Sequence, residues 1–310
     1  MNKRIISILC LIIMFSNIHA DTTHDAGEIR SNVTTTGQST SLIWPHRTNP
    51  SAVDQLFSMT AMLGFGGSLT SAYTVDSSQQ ATFLEPASNS TEETTVYNLA
   101  TISGTPLAIE TGVRTFDSSY GTLENVIEYN YLITNNGSST ISEFYAGDYF
   151  DFDIGVTFTN DRFGYDASRR MYYQYIDTGG TYVGVRVVSG EAHSAHFRQF
   201  GDAFNRSYAS IADGVQDTDI ELSESIDVTL TLSQQFLSFA PSDTVRFTIA
   251  VIFAEDLASL QASSDLSFAR NTGVANVPDG GLGTFVPVRA DSPQILGNSS
   301  SGGGGCLLKN

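Results

Sequence analysis

Residues 107–134 read LAIETGVRTFDSSYGTLENVIEYNYLIT. Two apolar-rich runs, Leu107 to Phe116 and Leu123 to Thr134, stand either side of an Asp-Ser-Ser-Tyr-Gly break. In the second run Ile127, Tyr129, Tyr131 and Ile133 alternate with Glu128, Asn130 and Leu132. Period-two alternation is the mark of a strand with one face in a core and the other mostly wet. Upstream, Thr94 to Ser103 has the same texture, and Gly, Pro, Asp and Ser turns separate the runs. That is the rhythm of an antiparallel sandwich rather than of βαβ units. Downstream, Asn135-Asn136-Gly137-Ser138 predicts a hairpin, because Asn and Gly tolerate positive φ.

The pattern continues outward in both directions. Asn49 opens like a helix start, but Phe57, Met59, Ala61 and Leu63 alternate as a strand does. Strands resume at Ile226–Leu232 and at Val245–Phe253, the second reading as a central strand, while Val188 to Asp219 reads as loop. Glu255–Arg270 predicts a helix, with acids at its start, Leu257, Leu260 and Phe268 at helical spacing, and Gly273 as a stop. The expected fold is all-β: a large antiparallel β-sandwich, long enough for a super-sandwich, with one short α-helix near the C-terminal end.

Residues 1–20 read as a secretory signal peptide, with Lys3 and Arg4 before an apolar core and Ile18-His19-Ala20 as the exit. Cys10 lies inside that core after Leu9, which does not suit a lipoprotein signal. A polar lead-in is expected over 21–40, the sandwich over 41–273, and a flexible Gly/Ser-rich tail with Cys306 over 274–310. The expected location is secreted, extracellular or on the outer cell surface, with the periplasm as an alternative. Outside the signal no run is long and apolar enough to span a bilayer.

Loss of the leader removes Lys3 and Arg4 and leaves 13 basic against 33 acidic residues, a formal charge of −20. Nucleic acid is therefore not an expected partner, since phosphate binding needs a basic face. Cys306 is then the single cysteine, so no internal disulfide forms. Its thiol on a Gly tether suits attachment or dimerisation.

Between Phe144 and Val188 acidic side chains are threaded through aromatic sequence. Asp151 and Asp153, two apart on a strand, share a face, and Asp161 and Asp166 in the following turn are close enough to fold back. Four such carboxylates repel unless protonated or neutralised by a cation. Calcium, a hard ion that takes oxygen ligands, is the expected cofactor outside a cell. Pairing of these aspartates with Arg162, Arg169 and Arg170 on solvent loops is one alternative and catalytic use another, and Asp148 fits any of the three schemes. The implied function is a noncatalytic surface module stabilised by calcium, with a structural or interaction role. A carbohydrate-binding face lined by Tyr172, Tyr173 and Tyr175 is the second reading, and a hydrolase with paired carboxylates the third. Glu191, His193 and His196 lack the spacing of a helical zinc motif and read as surface residues. A possible partner class is accordingly a cell-surface protein or glycan.

The order Tyr145-x-Gly147, Asp151-x-Asp153-Ile154, Asn160, Tyr165-Asp166, Arg170, Tyr173-x-Tyr175, Tyr182-x-Gly184-Val185 is similar to a β-rich module of unassigned function in large secreted and surface proteins of Gram-negative bacteria. The likeness reaches Trp44-Pro45 upstream and Leu237 to Thr244 and Asp256-Leu257 downstream. It implies location and architecture and assigns no catalytic residue. The Gly302–Gly305 run before Cys306 resembles the start of a bacterial C-terminal sorting signal, but only Leu307-Leu308-Lys309-Asn310 follow.

Overall fold

A computed structural model describes residues 22–34, 38–49, 51–71, 92–96, 100–101, 105–155, 161–176, 180–218 and 227–272. The expected leader, the expected tail and Cys306 lie outside them. In chain order the strands are β1 (Thr22–His24), β2 (Arg30–Val33), β3 (Ser39–Ile43), β4 (Leu56–Phe65), β5 (Ser68–Ser71), β6 (Glu92–Val96), β7 (Ala100–Thr101) and β8 (Leu107–Phe116). They continue as β9 (Val126–Asn135), β10 (Phe144–Phe152), β11 (Asp161–Asp166), β12 (Met171–Ile176), β13 (Tyr182–Val187) and β14 (Ala195–Gln199). After the short helix α1 (Tyr208–Ala212) come β15 (Val228–Phe236), β16 (Thr244–Ala254) and helix α2 (Leu257–Thr272).

The chain is a large antiparallel β-sandwich. One layer has eight strands, ordered β11-β12-β13-β16-β9-β8-β6 with β7 also on β8; the other has five, ordered β14-β15-β10-β4-β5. Strand β16 lies between β13 and β9, the central place that its alternation predicts. The inward faces of the two sheets meet in one core, with Ile127, Tyr129, Tyr131 and Ile133 facing Phe144, Ala146, Phe150 and Phe152. A third sheet, β1-β2-β3, is built from the segment expected to be a polar lead-in. In β3 Ser39, Ser41 and Leu42 are buried while Thr40 faces water, so polar composition hid a largely buried strand.

Three further expectations change. Asn135 does not close a hairpin, because β9 pairs with β8 and β16 whereas β10 pairs with β4 and β15. Its buried side chain donates to the Ser139 and Phe239 carbonyls and accepts from the Gly137 amide, fixing a turn that carries the chain from one sheet to the other. The stretch expected as loop supplies β14, an edge strand, and α1. The outer face of β9 is dry at Glu128, where α2 lies across it. Ser267 and Asn271 donate to one Glu128 oxygen, and Arg114 reaches the other.

Strand β10 is the hub of the smaller sheet and is buried along its whole length. Its inward face carries Asp148, fully buried, with one oxygen accepting from the Tyr131 hydroxyl at 3.2 Å and the other without a partner. Burial raises this carboxyl well above its ordinary value, against the opposing Tyr131 bond. A carboxyl whose folded pKa is raised stabilises fully below the unfolded value, and that contribution is lost as pH rises toward the folded one. Asp148→Asn, which cannot ionise, should therefore gain stability relative to the parent as pH rises above about 4, by up to about 1.4 kcal/mol per pH unit. Urea unfolding from pH 4 to pH 8 measures it, and parallel profiles for the two proteins would refute it.

Candidate functional site

The strands of the smaller sheet bring one set of carboxylates together at one end of the sandwich. Asp151 projects from the outward face of β10, beside Tyr149, and pairs in register with Ser58 of β4 and Thr229 of β15. Asp153 follows just past the strand end, where its amide donates to the Gln55 carbonyl at 3.1 Å. Asp227 stands immediately before β15, its carbonyl accepting from the Phe200 amide at 2.9 Å. Asp151, Asp153 and Asp227 each offer a carboxylate oxygen within 4.8 Å of the other two.

Charge at this spacing is expensive. Two carboxylates about 5 Å apart repel by about 3 kcal/mol at an effective dielectric of ~20, less where water reaches them. Asp151 is the critical member: it is 1 % exposed, and neither of its carboxylate oxygens has a hydrogen-bond partner. Burial, followed by Asp227 and Asp153, pushes it up to about 7, while the Arg206 guanidinium and the Ser58 hydroxyl pull the other way. Arg206 itself is engaged nearby, seated 4.2 Å above the Tyr149 ring with a nitrogen 3.5 Å from the Ser58 oxygen. Asp153 is raised by burial and then by Asp54, and Asp227 by burial and then by Asp153. One oxygen of Asp227 is likewise buried without a partner.

Asp161, at the start of β11, belongs to the facing sheet. One oxygen accepts from the Gln174 amide, which also donates to the Phe152 carbonyl at 3.0 Å; the other has no partner. Burial pushes Asp161 up to about 7 against the Gln174 and Ile154 hydrogen bonds, and Asp153 and Asp227 add to the rise. It therefore flanks the cluster without joining the tight triad.

Asp166 is elsewhere. It ends β11, on the order of 17 Å along the strand from Asp161. Burial pushes its carboxyl up, but Ser168, Arg169 and Gln261 outweigh that and hold it below its ordinary value. The Arg169 guanidinium, 3.0 Å away, ties it to Asp265 of α2. So the turn expected to fold Asp166 back is instead an arginine-stapled hairpin, and arginine pairing describes this aspartate alone of the four.

The three tyrosines divide between the two faces of β12. Tyr172 is fully buried, its ring 4.7 Å from Tyr165 and 5.8 Å from Phe197, so no sugar reaches it. Tyr173 lies over Gly164 across the strand pair, and Tyr175 stacks on Tyr182 at 5.1 Å. Tyr173 and Tyr175 are half-buried and tilted toward one another with centroids 6.0 Å apart. His196 is not a surface residue: it is buried, with its two ring nitrogens 3.0 Å from Asp213 and 3.5 Å from Asp217. Glu191 pairs with Arg170, and His193 packs on Tyr145. The shallow depression lined by Phe65, Thr140, Glu143 and Tyr208 is at the opposite end of β10 and has no part in the acidic cluster.

No family model matches the chain, and no curated protein matches it. Solved structures do superpose. A galactose mutarotase related enzyme from Lactobacillus acidophilus is 10% identical, with 75% of this chain and 97% of that one covered, at a TM-score of 0.45. A polysaccharide lyase is 8% identical over 79% of this chain and 35% of its own, at 0.46. A bacterial glucoamylase solved with acarbose is 9% identical over 81% and 36%, also at 0.46. The chain thus spans about a third of the lyase and of the glucoamylase. At these scores the superpositions assign it no family, substrate or site residue.

The electrostatics carry their own test. If Asp151 is held against Asp153 and Asp227 at a cost, Asp151→Asn should melt higher than the parent at pH 8 in chelator, by about 2–4 °C, the shift that 1 kcal/mol produces in a domain of this size. Differential scanning calorimetry of the two proteins decides it, and a lower melting temperature for the variant would remove the repulsion argument.

Proposed function

We propose that the chain is a noncatalytic β-sandwich module of the cell exterior, stabilised by a calcium ion that Asp151, Asp153 and Asp227 hold. The observation that carries this reading is Asp151, a buried carboxylate with two unpartnered oxygens aimed at two further carboxylates. A buried anion without a partner costs several kcal/mol, and only protons or a cation relieve it. Oxygen donors alone suit a hard ion, and calcium accepts carboxylates in flexible geometry at the millimolar concentration found outside cells. The leader-like first twenty residues favour that compartment.

The ion would act as a clamp. Its ligands come from the end of β10 and from the residue that opens β15, two neighbouring strands, while Asp161 approaches from the opposite sheet. Held this way, the strand ends stay together in a protein whose single cysteine outside the leader forms no internal disulfide.

Calcium at a hundred times its dissociation constant should add about 2.7 kcal/mol to the parent, a rise of about 5–10 °C in melting temperature. The shift should vanish in Asp151→Asn and Asp227→Asn and survive in Asp166→Asn, whose carboxylate belongs to the arginine staple. Thermal melts with calcium, magnesium or chelator measure this. Equal melting in calcium and chelator for the parent would end the reading, and loss of the shift in Asp166→Asn would misplace the site.

A further inference from the structure

Three of the six exposed large apolar side chains among the described residues are adjacent in sequence, or hydrogen-bonded, to residues of the acidic cluster and its neighbours. Val53 is 42 % exposed, Phe57 64 % and Phe200 44 %. Val53 precedes Asp54, the residue whose charge acts on Asp153. Phe57 precedes Ser58, the register partner of Asp151. Phe200 is hydrogen-bonded through its amide to Asp227. The Phe57 and Phe200 rings meet edge to face, with centroids 6.0 Å apart and planes at 89°.

That contact is unusual in its placement. Phe57 belongs to β4 and Phe200 follows β14, and between those strands run β10 and β15, which supply the carboxylates. The rings therefore meet across the strand ends that hold the cluster. A β-bulge puts Phe57 there: register passes from Asp151 opposite Ser58 to Phe152 opposite Leu56, leaving Phe57 as the extra residue. Bulges re-aim side chains, and this one turns a phenylalanine out of the core alternation into water. Two exposed aromatic rings in contact beside a polar site mark a ligand surface more readily than scattered single residues do.

We infer that Phe57 and Phe200 form the stacking rim of a calcium-dependent binding site for a neutral saccharide; the inference rests on the calcium reading above. Calcium takes six to eight oxygen ligands, and three carboxylates used singly supply only three, so positions remain for vicinal hydroxyls of a sugar. The C–H face of the same sugar ring is apolar and faintly positive, and packs on the negative face of a phenyl ring. Arg206, beside Ser58 and over Tyr149, adds donors at the edge. Charge selects for a neutral ligand. The chain is strongly acidic, and Arg206 is the single cation named at the cluster, so an anionic lipid surface or polyanion would find little attraction.

The test uses the protein without its leader, on columns of immobilised mannan, xylan and dextran, in calcium and in chelator. Retention on at least one column in calcium, lost in chelator and weakened about tenfold or more in Phe57→Ala and Phe200→Ala, is expected. Both variants should keep the calcium-induced rise in melting temperature, which shows that they fold and load the ion. No retention on any column, retention that persists in chelator, or retention indifferent to both substitutions would overturn the inference. So would calcium-dependent capture by phosphatidylserine vesicles without glycan retention, which would make the rim a lipid surface. Failure of the parent to respond to calcium in the melt counts against the ion itself; a normal calcium response with no glycan retention counts against the saccharide alone.

Discussion

The arrangement turns on β10, a strand buried over all nine of its residues between β4 and β15, with a carboxyl on each of its faces. A strand in that position must satisfy two environments with one alternation. Inward, Asp148 takes one bond from Tyr131, and burial raises its carboxyl well above the ordinary value. Outward, neither Asp151 oxygen meets hydrogen-bond geometry, only Ser58 and Arg206 pull on it from nearby, and it faces two more carboxylates. The cost of burying charge is the same physics on both sides, but the remedies differ. A lone buried acid keeps its proton, whereas several acids that converge on one point create a place for a cation.

Packing elsewhere is arranged so that β10 stays where it is. The Asn135 side chain ties the crossing from β9 toward β10 to the Phe239 carbonyl, so the passage between sheets is held from inside. On the far side of the larger sheet, α2 is anchored by polar bonds rather than by an apolar stripe alone. Glu128 is shared among Arg114, Ser267 and Asn271, and Arg169 clasps Asp166 and Asp265. Arg186, buried, donates to Ser264 and lies over the Phe268 ring at 4.1 Å. Each of these charges is paired or stacked, which sets apart the carboxylates at the end of β10.

The candidate site was half legible in the sequence. The two-residue spacing of Asp151 and Asp153 pointed to one shared face, and aromatic neighbours placed Asp151 on a strand, while Asp153 lies just past its end. Asp227 was not legible, because it is 74 positions beyond Asp153 in a Ser- and Glu-rich segment, and nothing local says that the strand it opens pairs with β10. Its one signal is an acid immediately before an alternating run. Asp166 failed for the converse reason: closeness in sequence is not closeness in space when an extended strand of six residues lies between. Tyr172 does not join Tyr173 and Tyr175 because adjacent strand residues point to opposite faces, and His196 was read as exposed because its segment read as loop rather than as strand β14.

From the sequence alone came most of the sandwich strands with their approximate ends, the helix over α2 and the acidic balance. Those properties are local or compositional: side-chain period, turn chemistry and simple counting determine them. Tertiary structure decided which strands pair, which sheet each joins, and therefore which carboxylates meet and which aromatic rings stand beside them. Pairing partners here lie tens of residues apart, and the free energy that selects them is the burial of whole faces against each other. No short stretch carries that information, so the acidic triad and its phenylalanine rim exist only once the sandwich has closed.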